Sequence, residues 1–201
     1  MIAKIKLKDM KKIILIGCFL LTALSCKAQI LPIEDLRGYM DIGEGIPENI
    51  TYIKDVNNLL SKYEGVWIGV YNNKTFELHI EKETKIYYGT AEDLLLLRYK
   101  ITDASNNVIF NNLDVYDDTD VSIIEGYYMS NTATYYVMNY FSPHGMCGWH
   151  GEIFVEVPNS NLNQMKLFLA LAHDILNPAD CPNGILEQDF PTESSMTLAK
   201  Q

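Results

Sequence analysis

The chain has 201 residues, with 26 acidic against 16 basic side chains and a formal net charge of −10. Residues 1–28 hold six lysines and one aspartate, which leaves 10 basic against 25 acidic residues, net −15, over the 173 that follow. A surface of that sign repels phosphate backbones and anionic headgroups, which excludes nucleic acid and direct electrostatic attachment to a membrane. The length suits one domain with a core of its own.

Lys11 and Lys12 precede an uncharged apolar run over residues 13–24, and small residues with Cys26 end it. The run is shorter than a membrane-spanning helix needs, and its order of basic, apolar and small residues is that of an export signal. Residues 1–9 read as an upstream extension of the reading frame. Two cuts fit the signal. Ala23-Leu24-Ser25-Cys26 resembles a bacterial lipobox, with leucine one place nearer the cysteine than usual, which implies a lipid on Cys26. Cys26 and Ala28, three and one places before Gln29, equally suit cleavage after Ala28. The mature protein is expected in the periplasm, on the outer membrane as a lipoprotein, or outside the cell. Its only membrane contact would be an anchor at Cys26.

Residues 29–52 read as a linker or a strap, with Pro32, Gly38, Gly43, Gly45 and Pro47 and no sustained period. A short helix is expected over 55–63, where Val56, Leu60 and Tyr63 share a face with Ile53 and Gly65 ends it. From Val66 the pattern turns to strands: 66–71 is β-branched and aromatic, and Asn72-Asn73 tolerates the positive φ of a hairpin turn. Over 75–81, Phe76, Leu78 and Ile80 alternate with Glu77, His79 and Glu81, the mark of a half-buried antiparallel strand. Further strands are expected at 85–88, 94–101, 108–110, 121–129, 134–141, 152–157 and 165–171, with a last one at 196–200. Helix-forming residue types make 165–171 the ambiguous member, and its alternation decides for a strand.

About eight to nine short strands at regular spacing, behind one short helix and without βαβ alternation, point to a single antiparallel β-barrel or sandwich. The organisation is then a signal peptide at 1–28, a linker or strap at 29–52 and a β domain at 53–201.

Two cysteines, Cys147 and Cys181, fall in the folded part, and an even pair in an oxidising compartment is expected as a disulfide. A rival reading takes His144, Cys147 and His150, with Cys181, His173 or Asp174, as a zinc or copper set, because these ligand types suit both metals. The spacing matches no standard structural zinc pattern, so no metal and no cofactor are assigned. Asp114, Asp117, Asp118 and Asp120 cluster, but Thr119 stands where a calcium loop needs glycine, and a solvated turn is expected there. Cys147 with His150 lacks a protease signature, serines lack a nucleophile elbow, and the pairs Glu77/Glu81 and Glu152/Glu156 face outward. No catalytic residue is assigned. Tyrosine is abundant, with 13 residues, and the adjacent pairs at 87–88, 127–128 and 135–136 must split between the two faces of a strand.

Residues 51–67, running from Thr51 to the Gly65-Val66-Trp67 start of the first long strand, resemble the opening of an uncharacterised family of small exported bacterial proteins. The Ser25-Cys26-Lys-Ala-Gln29 signal end and the Phe190-Pro-Thr to Met196-Thr-Leu close belong to the same resemblance. It implies an exported β-rich domain with no established activity and no site residues. Gly65-Val66-Trp67 is also similar to the start of lipocalin-like barrels, where the tryptophan plugs the closed end and a late arginine stacks on it. Here the only arginines after residue 28 are Arg37 and Arg98. The function expected is a non-enzymatic interaction or structural module of the cell envelope. The alternative is a lipocalin-like carrier of a small apolar or amphipathic ligand. A cavity lined by inward aromatic and aliphatic residues favours the carrier, and a closed core beside an exposed apolar patch favours the module.

Overall fold

The computed structural model describes residues 29–43, 45–143, 145–172, 181, 184 and 188–201. Eight strands close into an antiparallel up-and-down barrel: β3 (Gly65–Tyr71), β4 (Lys74–Tyr87), β5 (Thr90–Thr102), β7 (Ile124–Met129), β8 (Tyr136–Phe141), β9 (His150–Glu156), β10 (Gln164–Leu171) and β11 (Met196–Lys200). Each pairs with the next in sequence, and β11 returns to β3 through Leu198 opposite Gly69 and Lys200 opposite Trp67. Closure removes the free edges that an open sheet would expose.

The hairpins follow from local sequence. Asn72 and Asn73 take φ of 48° and 59°, the left-handed pair that matches the twist of two antiparallel strands. The alternation of β4 holds: Phe76, Leu78 and Ile80 are buried, while Glu77 meets His79 at 2.9 Å and Glu81 pairs with Arg98 on the outside. The strands expected at 75–81 and 85–88 are one, since β4 runs unbroken to Tyr87 and turns at Tyr88-Gly89. The ambiguous 165–171 is β10, hydrogen-bonded on both sides.

The tightness of the barrel shows at Gly126. A Cβ there would collide with the phenol of Tyr136 on the neighbouring strand β8.

The weakest junction of the ring is between β5 and β7, joined only at Leu96–Glu125 and Leu97–Ile124. The same long edge of β5 also takes β6 (Val108–Asn111) near its end, and near its start it takes β2 (Ile50–Lys54), which pairs parallel at Ala91 and Glu92. Residues 29–54 supply that second partner. β1 (Gln29–Pro32) lies parallel to β2, and α1 (Ile33–Ile42) packs on β7. Leu31, Ile33, Leu36, Ile50 and Ile53 join the main core, and the guanidinium of Arg37 lies 4.5 Å over the Tyr128 ring. Pro32 precedes α1, Glu34 and Asp35 occupy its first turn, and left-handed Gly43 ends it.

The helix expected at 55–63 is absent; that stretch is a chain of turns. Its organiser is Asp55, whose Oδ1 accepts the Leu59 amide at 2.6 Å and whose Oδ2 accepts the Leu60 amide at 3.1 Å. A side chain that satisfies these donors offers the backbone an alternative to helical bonds. Asn58, at φ 54°, then turns the chain out of the helical region. The result is a plug under the barrel, with Leu60 and Tyr63 fully buried.

Candidate functional site

The lumen is occupied by the protein's own side chains. Trp67, Leu97, Met138, Ile153, Leu169 and Leu198, from six different strands, lie at 0 % exposure, and the other inward positions are nearly as dry. Trp67 seals the base: its indole N–H donates to the Tyr63 carbonyl at 2.8 Å, and Lys200 holds its ammonium 5.2 Å from the ring. The late cation that the lipocalin resemblance implies as arginine is thus a lysine on the last strand.

Below Trp67, Asp93 ties the plug to the wall. It accepts the Tyr52 and Thr84 hydroxyls at 2.7 Å each and the Asp55 amide at 3.1 Å. Burial favours the neutral acid, yet these bonds, with the Lys82 charge, outweigh it and hold the carboxyl below its ordinary value.

The opposite mouth is closed by residues from far along the chain. Phe190 enters the lumen and packs on Phe76, Tyr99 and Tyr140 with ring centroids 5.5, 5.1 and 5.4 Å apart. The Cys147–Cys181 disulfide, with Cα atoms 5.5 Å apart, joins the β8–β9 connection to the β10–β11 connection. A void of about 20 Å³ remains beside Tyr99, Tyr140 and Gln188, room for about one water molecule.

With the two cysteines bonded to each other, neither thiolate is left for the rival metal set. His150 opens β9, with its ring stacked 5.9 Å from Phe141. Cys26, His144, His173 and Asp174 lie outside the described residues. Among the described residues, no group of three or more His, Cys, Asp or Glu side chains is placed to hold a metal. The Asp-rich stretch is a folded turn. Asp117 accepts from Thr119, Asp120 from the Ser122 amide at 2.8 Å, and Asp118 pairs with Arg98. Arg98, 8 % exposed, also donates to the Val115 carbonyl at 2.7 Å and so clamps this turn over the outer face of β5, where Ile123 covers Leu94 and Leu96.

That clamped turn builds one wall of a groove of about 960 Å³ on the outside of the barrel. The far end of β4 and the outer faces of β7 and β8 complete it. Ile86, Val121 and Phe141 present apolar side chains there, 76, 78 and 59 % exposed. Lys85 donates to Glu125 at 2.7 Å and to the Asp118 carbonyl at 2.8 Å, and the Tyr87 hydroxyl donates to Glu125. Close by, burial pushes Glu92 up to about 7, and the Glu125 charge adds to that shift. Sequence assigns none of these residues to a site, although Asp118 falls in the aspartate cluster and Tyr87 in an adjacent tyrosine pair. The available signal was apolar residues at outward positions, Phe141 beyond inward Tyr140 and Val121 amid aspartates.

The model of a family of unknown function, DUF6705, matches residues 10–169, and the chain belongs to that family. No curated protein and no solved structure matches the chain.

Proposed function

We propose that this member of a family of unknown function is an exported, non-enzymatic interaction module of the cell envelope that works through the outside of its barrel. The filled lumen carries this reading. An eight-stranded barrel is just wide enough either to be packed by side chains or to hold one small ligand, and here side chains take the space. The apolar groove lies on the outer wall instead. Export rests on the basic and apolar pattern of residues 11–24 and on the Cys147–Cys181 disulfide, a bond that persists in oxidising compartments. Cys26 is the proposed lipid site if the lipobox cut is used, and Gln29 the first residue if the other is.

The test is the intact mass of protein recovered from its native envelope, under native and then denaturing conditions. The expected species lacks two thiol hydrogens and carries no small molecule, with either a lipid-sized addition at Cys26 or a start at Gln29. A small-molecule mass present only under native conditions would overturn the module in favour of a carrier. A species starting at Met1 or Met10 would overturn export.

A further inference from the structure

We infer that the outer groove docks a cationic, amphipathic segment of a partner protein, in which a basic side chain lies between aromatic or aliphatic ones. This rests on the reading of the protein as an interaction module and names the chemistry of what it binds.

Single exposed apolar residues are ordinary, but Ile86, Val121 and Phe141 share one concavity, which is where recognition sites concentrate. The groove is also structurally held. Arg98 fixes the 113–120 turn through Glu81, Asp118 and the Val115 carbonyl, so the wall that carries Val121 is built before any partner arrives.

Charge selects the occupant. The cation lining the groove, Lys85, is engaged by Glu125, and Arg98 lies beneath the turn on Glu81 and Asp118. Asp120 accepts from the hydroxyl and the amide of Ser122, both neutral donors, and among the described residues no cation pairs with it. The groove therefore offers an anionic rim beside apolar walls, within a chain of net −15 beyond residue 28. A second copy of the chain or an anionic lipid surface would bring like charge to it, whereas a basic segment brings the opposite charge, which speeds encounter and fixes register.

The test uses the full, disulfide-bonded protein and three labelled peptides read by fluorescence anisotropy: alternating Lys and Phe, the same with Glu for Lys, and the same with Ser for Lys. Variants are Phe141→Ser, Val121→Ser and Asp120→Asn. Val70→Ser on β3 alters another exposed apolar side chain, away from the groove. Melting curves check that each is folded, and Asp120→Asn keeps an oxygen for the Ser122 amide. We expect the Lys/Phe peptide to bind about tenfold more tightly than the other two, and to lose about tenfold with Phe141→Ser or Val121→Ser. Asp120→Asn should weaken binding and flatten its salt dependence, and Val70→Ser should change nothing. Equal binding of the Ser peptide, or equal loss with Val70→Ser, would overturn the inference. Wild-type binding by the groove variants would do the same. Such a failure leaves the filled-lumen reading standing, because the native mass decides that one.

Discussion

The two ends of the barrel are closed by different physics. At the base, the plug is continuous in sequence with the first barrel strand and is locked by hydrogen bonds: Asp55 to its own turn, Asp93 to Tyr52, Thr84 and the Asp55 amide, and the Trp67 indole to Tyr63. At the mouth, closure centres on Phe190, inserted from the far side of the β10–β11 connection, and on one covalent link, with Lys74 on Asp189 and the Leu169 amide on the Pro191 carbonyl fastening the residues either side of it. The base is over-determined, since several bonds to different elements fix the same few residues. Among the described residues, the mouth is built round one inserted aromatic ring, and its neighbours Asp189 and Pro191 are each held by one bond to the wall.

The largest effect should come from exchanging the aromatic at each end for alanine. Trp67→Ala removes a fully buried ring, leaves the Tyr63 carbonyl without its donor and strands Lys200, and should cost about 4–5 kcal/mol. Phe190→Ala lies beside the small void at the mouth, where neighbours can relax inward, and should cost about 3 kcal/mol. Urea unfolding of the two variants gives both numbers. A costlier Phe190→Ala would reverse the ranking of the two ends.

Removing the covalent link comes next. A disulfide spanning 34 residues stabilises mainly by restricting the unfolded chain, by about 4 kcal/mol. The double variant Cys147→Ser/Cys181→Ser should lose about that much in urea unfolding. Its faster native-state amide exchange should be confined to the mouth, at residues 141–150 and 188–191, with the plug at 55–63 still protected. Faster exchange spread evenly over both ends would mean that the two closures are not independent.

The same contrast explains what could be read from the sequence. The wall was legible because each strand buries one face: Phe76, Leu78 and Ile80 announce β4, and Met165, Leu167 and Leu169 announce β10. The turn at Asn72-Asn73 was legible because few residues accept its dihedrals. The ends were harder. The apolar spacing at 53–63 looks helical, but those residues are buried by a plug folded around the Asp55 carboxylate, a choice that periodicity does not encode. Conversely α1 carried its own signals, Pro32, Glu34-Asp35 and Gly43, which were outweighed by the density of Gly and Pro around them. The seam between β5 and β7 and the groove depend on which distant strand meets which, and no local pattern specifies that. The disulfide was legible only because parity left one pair.

The smallest effect sharpens the comparison at the base, on the stretch of β5 that pairs with β2. Glu92 sits opposite Ile53 there and is pushed up to about 7 by burial and by Glu125. Because its folded-state value lies above its ordinary one, the folded protein binds the proton more readily than the unfolded chain does. Stability should then fall as pH rises from about 4.5 to about 7, with the whole penalty present above that window. Glu92→Gln should flatten this slope. It should match wild type near pH 4 and be more stable by about 1 kcal/mol at pH 8, allowing for the partial exposure of the group and for Lys85 across the strand pair. Unfolding curves at the two pH values decide the matter. If the variant gains nothing at pH 8, Glu92 is solvated well enough to ionise freely, and the β5–β2 junction is a wet seam instead of part of the closed base.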